Sequence, residues 1–256
     1  MQRDWLTARS YRLSLVFDML FGVLNLAVFF YISRTFAGVT PAALEAAPSY
    51  FAFAAVGVAI GLVIQASSAG IAGKLREEQL TGTLEVLAAQ PLSAVELCMG
   101  LIGFPYLFAL ARAIFYLAIA AALMDLDVSR ASWVGLFALF LTTGVAFSAL
   151  GVLSGAVVLV VKRGETLVGT AIFAMTLLSG SVFPRSVLPD WLGWIGGLMP
   201  VRFSFDGVRN ALFQGDGWGG DAATLGTFGL IGLPAAVWIF TRALRLAERA
   251  GSLAQY

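Results

Sequence analysis

Six long apolar stretches separated by polar breaks set the pattern of this chain. They run at about 13–33, 50–73, 97–124, 132–161, 166–183 and 222–241, each long enough to cross a hydrocarbon core of roughly 30 Å as a helix. The pattern predicts an all-α polytopic membrane protein with six transmembrane helices in a single domain over 1–256. The fifth stretch is the shortest. Gly57 and Gly61 in the second stretch, and Gly151 and Gly155 in the fourth, are spaced four apart, which lets helix backbones approach closely.

Two breaks carry more than a turn. The first, 74–96, opens on Lys74, Arg76, Glu77 and Glu78. A Thr-Gly-Thr turn follows, then an apolar-rich run from Leu84 to Ala89 closed by Pro91. Ser93 and Glu96 fit a capping box, which predicts a helix start near Ala94. The break therefore reads as a helix end, a short helix lying across, and a new helix start. The second break, 184–220, is cut by Pro184, Pro189 and Pro200. Trp191 and Trp194 lie between the second and third of these. Pro200 suits the first turn of a helix, where a missing N–H costs nothing. That helix would put Val201, Phe205, Val208 and Leu212 on one stripe, and Arg202, Asp206 and Arg209 on a neighbouring stripe close enough to pair. Gly215 is placed to cap it. Two short amphipathic helices with tryptophans predict a hairpin dipping part-way into the membrane.

Composition agrees with the pattern. The 256 residues are 59% hydrophobic and 12% charged, with mean hydropathy +0.88, whereas a soluble domain is about a quarter charged. A net charge of +1 gives no sign of nucleic-acid binding, and the absence of histidine removes histidine metal sites and Ser-His-Asp triads. The lone Cys98 has no partner for an internal disulfide and reads as inert. Residues 1–12 carry Arg3, Arg9 and Arg12 among Trp5, Leu6 and Tyr11. This composition suits either a helix in the headgroup layer or a charged tail, and it lacks the cleavage pattern of a signal peptide.

With six spans, ten basic residues fall on the side of the termini and the 74–96 loop, and five on the other. Basic excess marks the cytoplasmic side. Both termini and that loop are therefore expected in the cytoplasm, and 184–220 outside. The protein is expected in the cytoplasmic membrane.

Polar residues inside spans are expensive and mark function by default. Four stand out: Asp18, Asn25, Gln65 and Arg112. Arg112 lies roughly 22 Å into the third span and Asp18 roughly 8 Å into the first, at 1.5 Å per residue. The count separates them. It offers Asp190 or Asp206 of the hairpin as partners for Arg112 and sends Asp18 toward the headgroups. An internal salt bridge and a place in a substrate path both stand for Arg112, as do inter-span hydrogen bonding and a substrate contact for Asn25 and Gln65. No nucleotide-binding loop is present. The nearest run, Ser68 to Leu75, has serine for the first glycine and leucine after the lysine.

Arg76-Glu77-Glu78, Gly82-Thr83-Leu84-Glu85 and Gln90-Pro91-Leu92-Ser93 closely resemble the cytoplasmic loop of type-2 ABC transporter permeases. Gln90 stands where that family often has threonine. The F-P…L-P-x-W-L…P…R pattern of 184–209 is similar to that family's hairpin between its fifth and sixth spans. The resemblance implies an N-terminal interfacial helix over 1–12, a coupling helix at 83–90, and an ABC exporter membrane subunit moving a drug, lipid or lipid-linked glycan. It implies two copies of a separate ATPase, which would bind the ATP and magnesium, and a second permease chain, identical or similar. Contact with the ATPase would fall to Glu77, Glu78, Gly82, Thr83, Leu84, Glu85, Leu87 and Pro91. No cofactor is expected on this chain, and it is not expected to be an enzyme. The competing reading is an ATP-independent secondary transporter or another polytopic membrane protein. Against it, Asp18 is the one carboxylate inside a span, and a proton- or sodium-coupled carrier usually needs several.

Overall fold

The computed structural model describes residues 12–35, 44, 47–82, 94–160 and 164–249. Among these the chain is helical, with no strand. Nine α-helices follow in order: α1 Arg12–Thr35, α2 Tyr50–Ser68, α3 Gly70–Leu80, α4 Ala94–Leu123, α5 Trp133–Val160, α6 Gly164–Leu178, α7 Asp190–Leu198, α8 Val201–Arg209 and α9 Gly219–Arg249. Five are long and apolar enough to cross a membrane, namely α1, α2, α4, α5 and α9, and α6 contributes a shorter apolar segment, Thr166–Leu178. The expected interfacial helix at 1–12 falls, but for Arg12, outside the described residues, and the expected coupling helix at 83–90 falls wholly outside them.

The core forms around α2. In its most apolar window 72% of residues are buried, against 11% for α1. Phe53, Val56, Ile60, Val63 and Ile64 are fully enclosed. Helix α1, α4, α5, α6 and α8 all pack on it, while α9 lies chiefly along α5. Ser49 caps α2 by accepting the Ala52 N–H at 3.1 Å. Close approach is made possible by glycine at specific points. A Cβ on Gly151 of α5 would lie 2.1 Å from the Ser67 carbonyl, and one on Gly57 would lie 1.7 Å from that of Ser181. Gly61 differs from the expectation of a paired contact, because no atom lies within 4 Å of where its Cβ would be.

Three spans depart from their predicted limits. The second does not stop at the first charge. After a turn at Ala69 the chain continues as α3 through Lys74, Arg76, Glu77 and Glu78, which were expected in a loop. Its apolar side, with Ile71, Ala72 and Leu75 buried, packs against α4 and α5 and holds the helix together past the polar sequence. The fifth is shorter than 166–183. Helix α6 ends at Leu178 because Gly180 adopts φ +89°, with its N–H returned to the Leu177 carbonyl at 3.3 Å, a left-handed stop that glycine accommodates. The sixth extends beyond 222–241 at both ends. Arg242 and Arg245 continue α9, and Arg242 stacks over the Trp238 ring at 4.8 Å.

The hairpin region follows the predicted stripe. Val201, Phe205, Val208 and Leu212 are all buried, facing α2, α5 and α9. Pro189 and Pro200 immediately precede α7 and α8. The helix widens to a π-turn over Asn210–Gln214 and is stopped by Gly215 at φ +80°, whose N–H reaches the Asn210 carbonyl at 2.9 Å.

Candidate functional site: a polar cleft between four helices

A cleft of about 660 Å³ opens between α1, α2, α4 and α6. All four in-span polar residues singled out from the sequence line it: Asp18 and Asn25 from α1, Gln65 from α2 and Arg112 from α4. Helix periodicity explains the grouping on α1, since Asp18, Phe21, Gly22 and Asn25 recur at three- and four-residue spacing and so share one face. Gly57 and Gly61 line the same cleft from α2. The open space at Gly61 is thus part of the cavity rather than a helix–helix contact.

Arg112 pairs with Asp18, Nη1 to Oδ2 at 2.7 Å, and not with an acid of the hairpin. Asp206 instead forms an ion pair with Arg185 at 3.0 Å, and the hairpin helix α8 packs on α2, α5 and α9. The depth count failed because it took the first residues of both spans as one plane. The C-terminal ends give the common plane: Arg34 near the end of α1 meets Asp125 just after α4 at 3.5 Å. Counting back from that pair, Asp18 lies roughly 24 Å down α1 and Arg112 roughly 20 Å down α4, within reach of an arginine side chain.

Tyr116 completes the group, and sequence reasoning missed it. Its side chain is fully buried, its hydroxyl donates to the Asp18 carbonyl at 3.2 Å and it accepts from Arg112 Nη2 at 3.1 Å. It sits four residues after Arg112, the spacing of facing neighbours on one helix, which is the signal that would have found it. Gly22 leaves room for it, since a Cβ there would fall 1.9 Å from the tyrosine hydroxyl. The cluster therefore joins α1 to α4 by one ion pair and a shared hydroxyl. Because Arg112 is mostly buried, truncating it should cost on the order of 2 kcal/mol. A double-mutant cycle on thermal unfolding should give a coupling energy of about 1 kcal/mol or more for Asp18→Ala with Arg112→Ala, and near-additivity for Arg112→Ala with Asp206→Ala. Additivity of the first pair would refute the assigned contact.

The second polar centre supports the cleft from behind. Arg209 is fully buried. Its Nη2 donates to the carbonyls of Gly180 at 2.7 Å, Phe53 at 3.2 Å and Ser181 at 3.4 Å. Its guanidinium lies 3.4 Å from the centroid of the Phe53 ring. Ser181 and Val182, on the segment so held, line the cleft. The predicted stripe of Arg202, Asp206 and Arg209 thus divides: Arg209 turns into the protein, Asp206 meets Arg185, and Arg202 stacks over Phe203 at 4.7 Å. Of the remaining hairpin residues, Pro184 is buried, whereas Trp191 and Trp194 are 65% and 69% exposed.

Of the residues assigned to ATPase contact, the structure describes three. Glu77 is exposed and accepts from Lys74 at 2.9 Å. Glu78 is buried against the protein at 3% exposure. Gly82 adopts φ +70° in open space, a turn conformation that glycine takes without strain. Thr83, Leu84, Glu85, Leu87 and Pro91 lie outside the described residues.

The family model for the ABC-2 type transporter matches residues 3–213 of this chain. No curated protein matches it.

Proposed function

Because this chain belongs to the ABC-2 type transporter family, we propose that it is the membrane-spanning subunit of an ATP-driven exporter that moves a hydrophobic or amphipathic substrate across the cytoplasmic membrane. The observation that carries the reading beyond the family is the cleft. Its size suits a small-molecule site, and it gathers Asp18, Asn25, Gln65 and Arg112 in one largely apolar-walled space. Polar groups at membrane depth are retained where they face a cavity, a partner or a path.

Asn25 and Asp18 are exposed on α1, beside exposed Phe17, Phe21, Leu24 and Val28. Hydrocarbon cannot satisfy such polar groups. A second permease chain, identical or similar, meets this face and that of α6, and substrate passes between the two. Six spans cross the membrane, with α6 and the segment after it together making the fifth. Both termini and residues 74–96 are cytoplasmic, a placement supported by the distribution of basic residues, and 184–220 forms a re-entrant hairpin at the outer face. Two ATPase subunits bind ATP and magnesium and drive the cycle through the short helix at 83–90. Glu77 and Gly82 sit at its entry.

Reconstitution tests this. Vesicles containing the chain and the Walker A protein that co-purifies with it should move substrate only with hydrolysable ATP. A label at position 77 should be accessible from the cytoplasmic side and one at 127 from outside; position 77 is chosen because Glu78 is buried. Transport by the chain alone, driven by an ion gradient, would sink the exporter reading, and outside labelling at 77 would sink the topology.

A further inference from the structure

The two charges of the cleft are not equally presented. The Asp18 side chain is 48% exposed and that of Arg112 only 17%. The guanidinium is engaged on two sides, with Nη1 on Asp18 and Nη2 on the Tyr116 hydroxyl. Its Nε is enclosed, and the rings of Phe108 and Tyr116 lie 5.9 and 5.7 Å away. No other charged residue lines the cleft among the described residues. The remaining polar lining comes from Asn25, Gln65, Thr176 and Ser181, all neutral. An entering molecule therefore meets the carboxylate, with its counter-charge set behind it. Two aromatic side chains line the same cleft: Phe21, three residues from Asp18 on the same face of α1, and Phe173 from α6. They are 72% and 68% exposed.

We propose that this cleft binds a hydrophobic cation, an amine or quaternary ammonium on an apolar body, with Asp18 as its counter-charge and Phe21 and Phe173 against its body. The proposal rests on the reading of the cleft as the exporter's substrate path and names the class of molecule that path accepts. Three magnitudes decide among cation, anion and neutral amphiphile. Coulomb interactions strengthen several-fold as the effective dielectric falls from that of water, so one exposed carboxylate at membrane depth weighs heavily. Aromatic faces attract cations within about 6 Å of the ring centre. An anion would have to pass the carboxylate and displace it from Arg112 at 2.7 Å, which leaves Asp18 unpaired in an apolar setting. A neutral amphiphile gains from the apolar walls but draws nothing from the charge.

Tetraphenylphosphonium and its size-matched anion tetraphenylborate separate these cases. Each is titrated against the full chain in phosphatidylcholine nanodiscs, with empty nanodiscs subtracted. The cation should bind saturably and displaceably, and the anion should not. Asp18→Asn should weaken cation binding at least tenfold, while its thermal midpoint reports whether it remains folded. Asn25→Asp adds a carboxylate to the same face without touching the ion pair, so it should tighten cation binding several-fold and carries the test where Asp18→Asn does not fold. Saturable binding of the anion in preference, or cation binding unmoved by both variants, overturns the proposal. Its failure is distinct from that of the exporter reading. ATP-driven export of a neutral or anionic amphiphile without cation binding rejects only the cation. Specific cation binding without ATP-coupled transport rejects only the exporter.

Discussion

Arg209→Ala should be among the most damaging single substitutions in the chain, lowering stability by about 3–5 kcal/mol, since a large buried side chain and a charged hydrogen-bond donor are lost together. The estimate follows from what the guanidinium holds. Gly180 and Ser181 lie outside any helix, so their carbonyls have no helical N–H to accept from, and Arg209 Nη2 supplies one at 2.7 and 3.4 Å. The same nitrogen reaches the Phe53 carbonyl on α2, and the planar group covers the Phe53 ring at 3.4 Å. Alanine removes the donor, the stacked plane and the volume together, in a position with no exposure. Arg209→Lys keeps the charge but loses the planar fork, and should cost on the order of 2 kcal/mol. Arg202→Ala on the same helix is the control, because Arg202 is only half-buried and stacks on one ring, an interaction of about 1 kcal/mol. Heating purified protein and following the fraction that remains monodisperse orders the three. Equal midpoints for Arg209→Ala and Arg202→Ala would show that the buried guanidinium is not the clamp. Since Ser181 and Val182 line the cleft, the lysine variant should also change ligand affinity before it changes folding yield.

Arg209 also marks where sequence reading reaches its limit. The stripe of Val201, Phe205, Val208 and Leu212 was legible because periodicity reports which face of one helix is apolar, and Gly215 because a left-handed cap has a local cause. Arg209 read as part of a polar stripe, since its partners lie about 30 and 150 residues away and include backbone carbonyls that have no sequence signature. The four polar residues of the cleft were identified individually, yet their convergence was not. Counting depth from the start of each span misplaced Asp18 relative to Arg112, because the predicted starts of α1 and α4 do not share a plane, whereas their C-terminal ends meet at Arg34 and Asp125. Polarity likewise misled at Lys74 to Glu78. The first charge reads as the end of the span, whereas tertiary packing of Ile71, Ala72 and Leu75 keeps the run helical as far as Leu80 and buries Glu78.

Leu84→Asp and Glu85→Lys should abolish or uncouple transport while leaving the permease in the membrane at normal levels. Helix α3 ends at Leu80 and is followed by a turn at Gly82, after which residues 83–90 come next in the sequence. The exposed Glu77 and the turn place the loop's entry at the protein surface. Leu84, Val86 and Leu87 are too few to hold the segment as a span, so their apolar surface needs cover from a separate protein, and the proposed exporter supplies one in its ATPase subunit. Leu84→Asp would carry a charge into that contact, where an unpaired charge is costly. Glu85→Lys reverses the electrostatic match with a basic partner surface and penalises docking. Neither change touches a span, the Asp18–Arg112 cluster or the Arg209 clamp, so insertion, fold and ligand binding to the cleft should survive. ATPase activity and transport in reconstituted vesicles, measured beside the amount of complex recovered, separate the outcomes. Weakened recovery of the ATPase, or hydrolysis without transport, supports the loop as the coupling element. Wild-type transport by both variants would move the coupling contact elsewhere on the permease, and the exposed Glu77 and half-buried Lys74 of α3 would be the next residues to change.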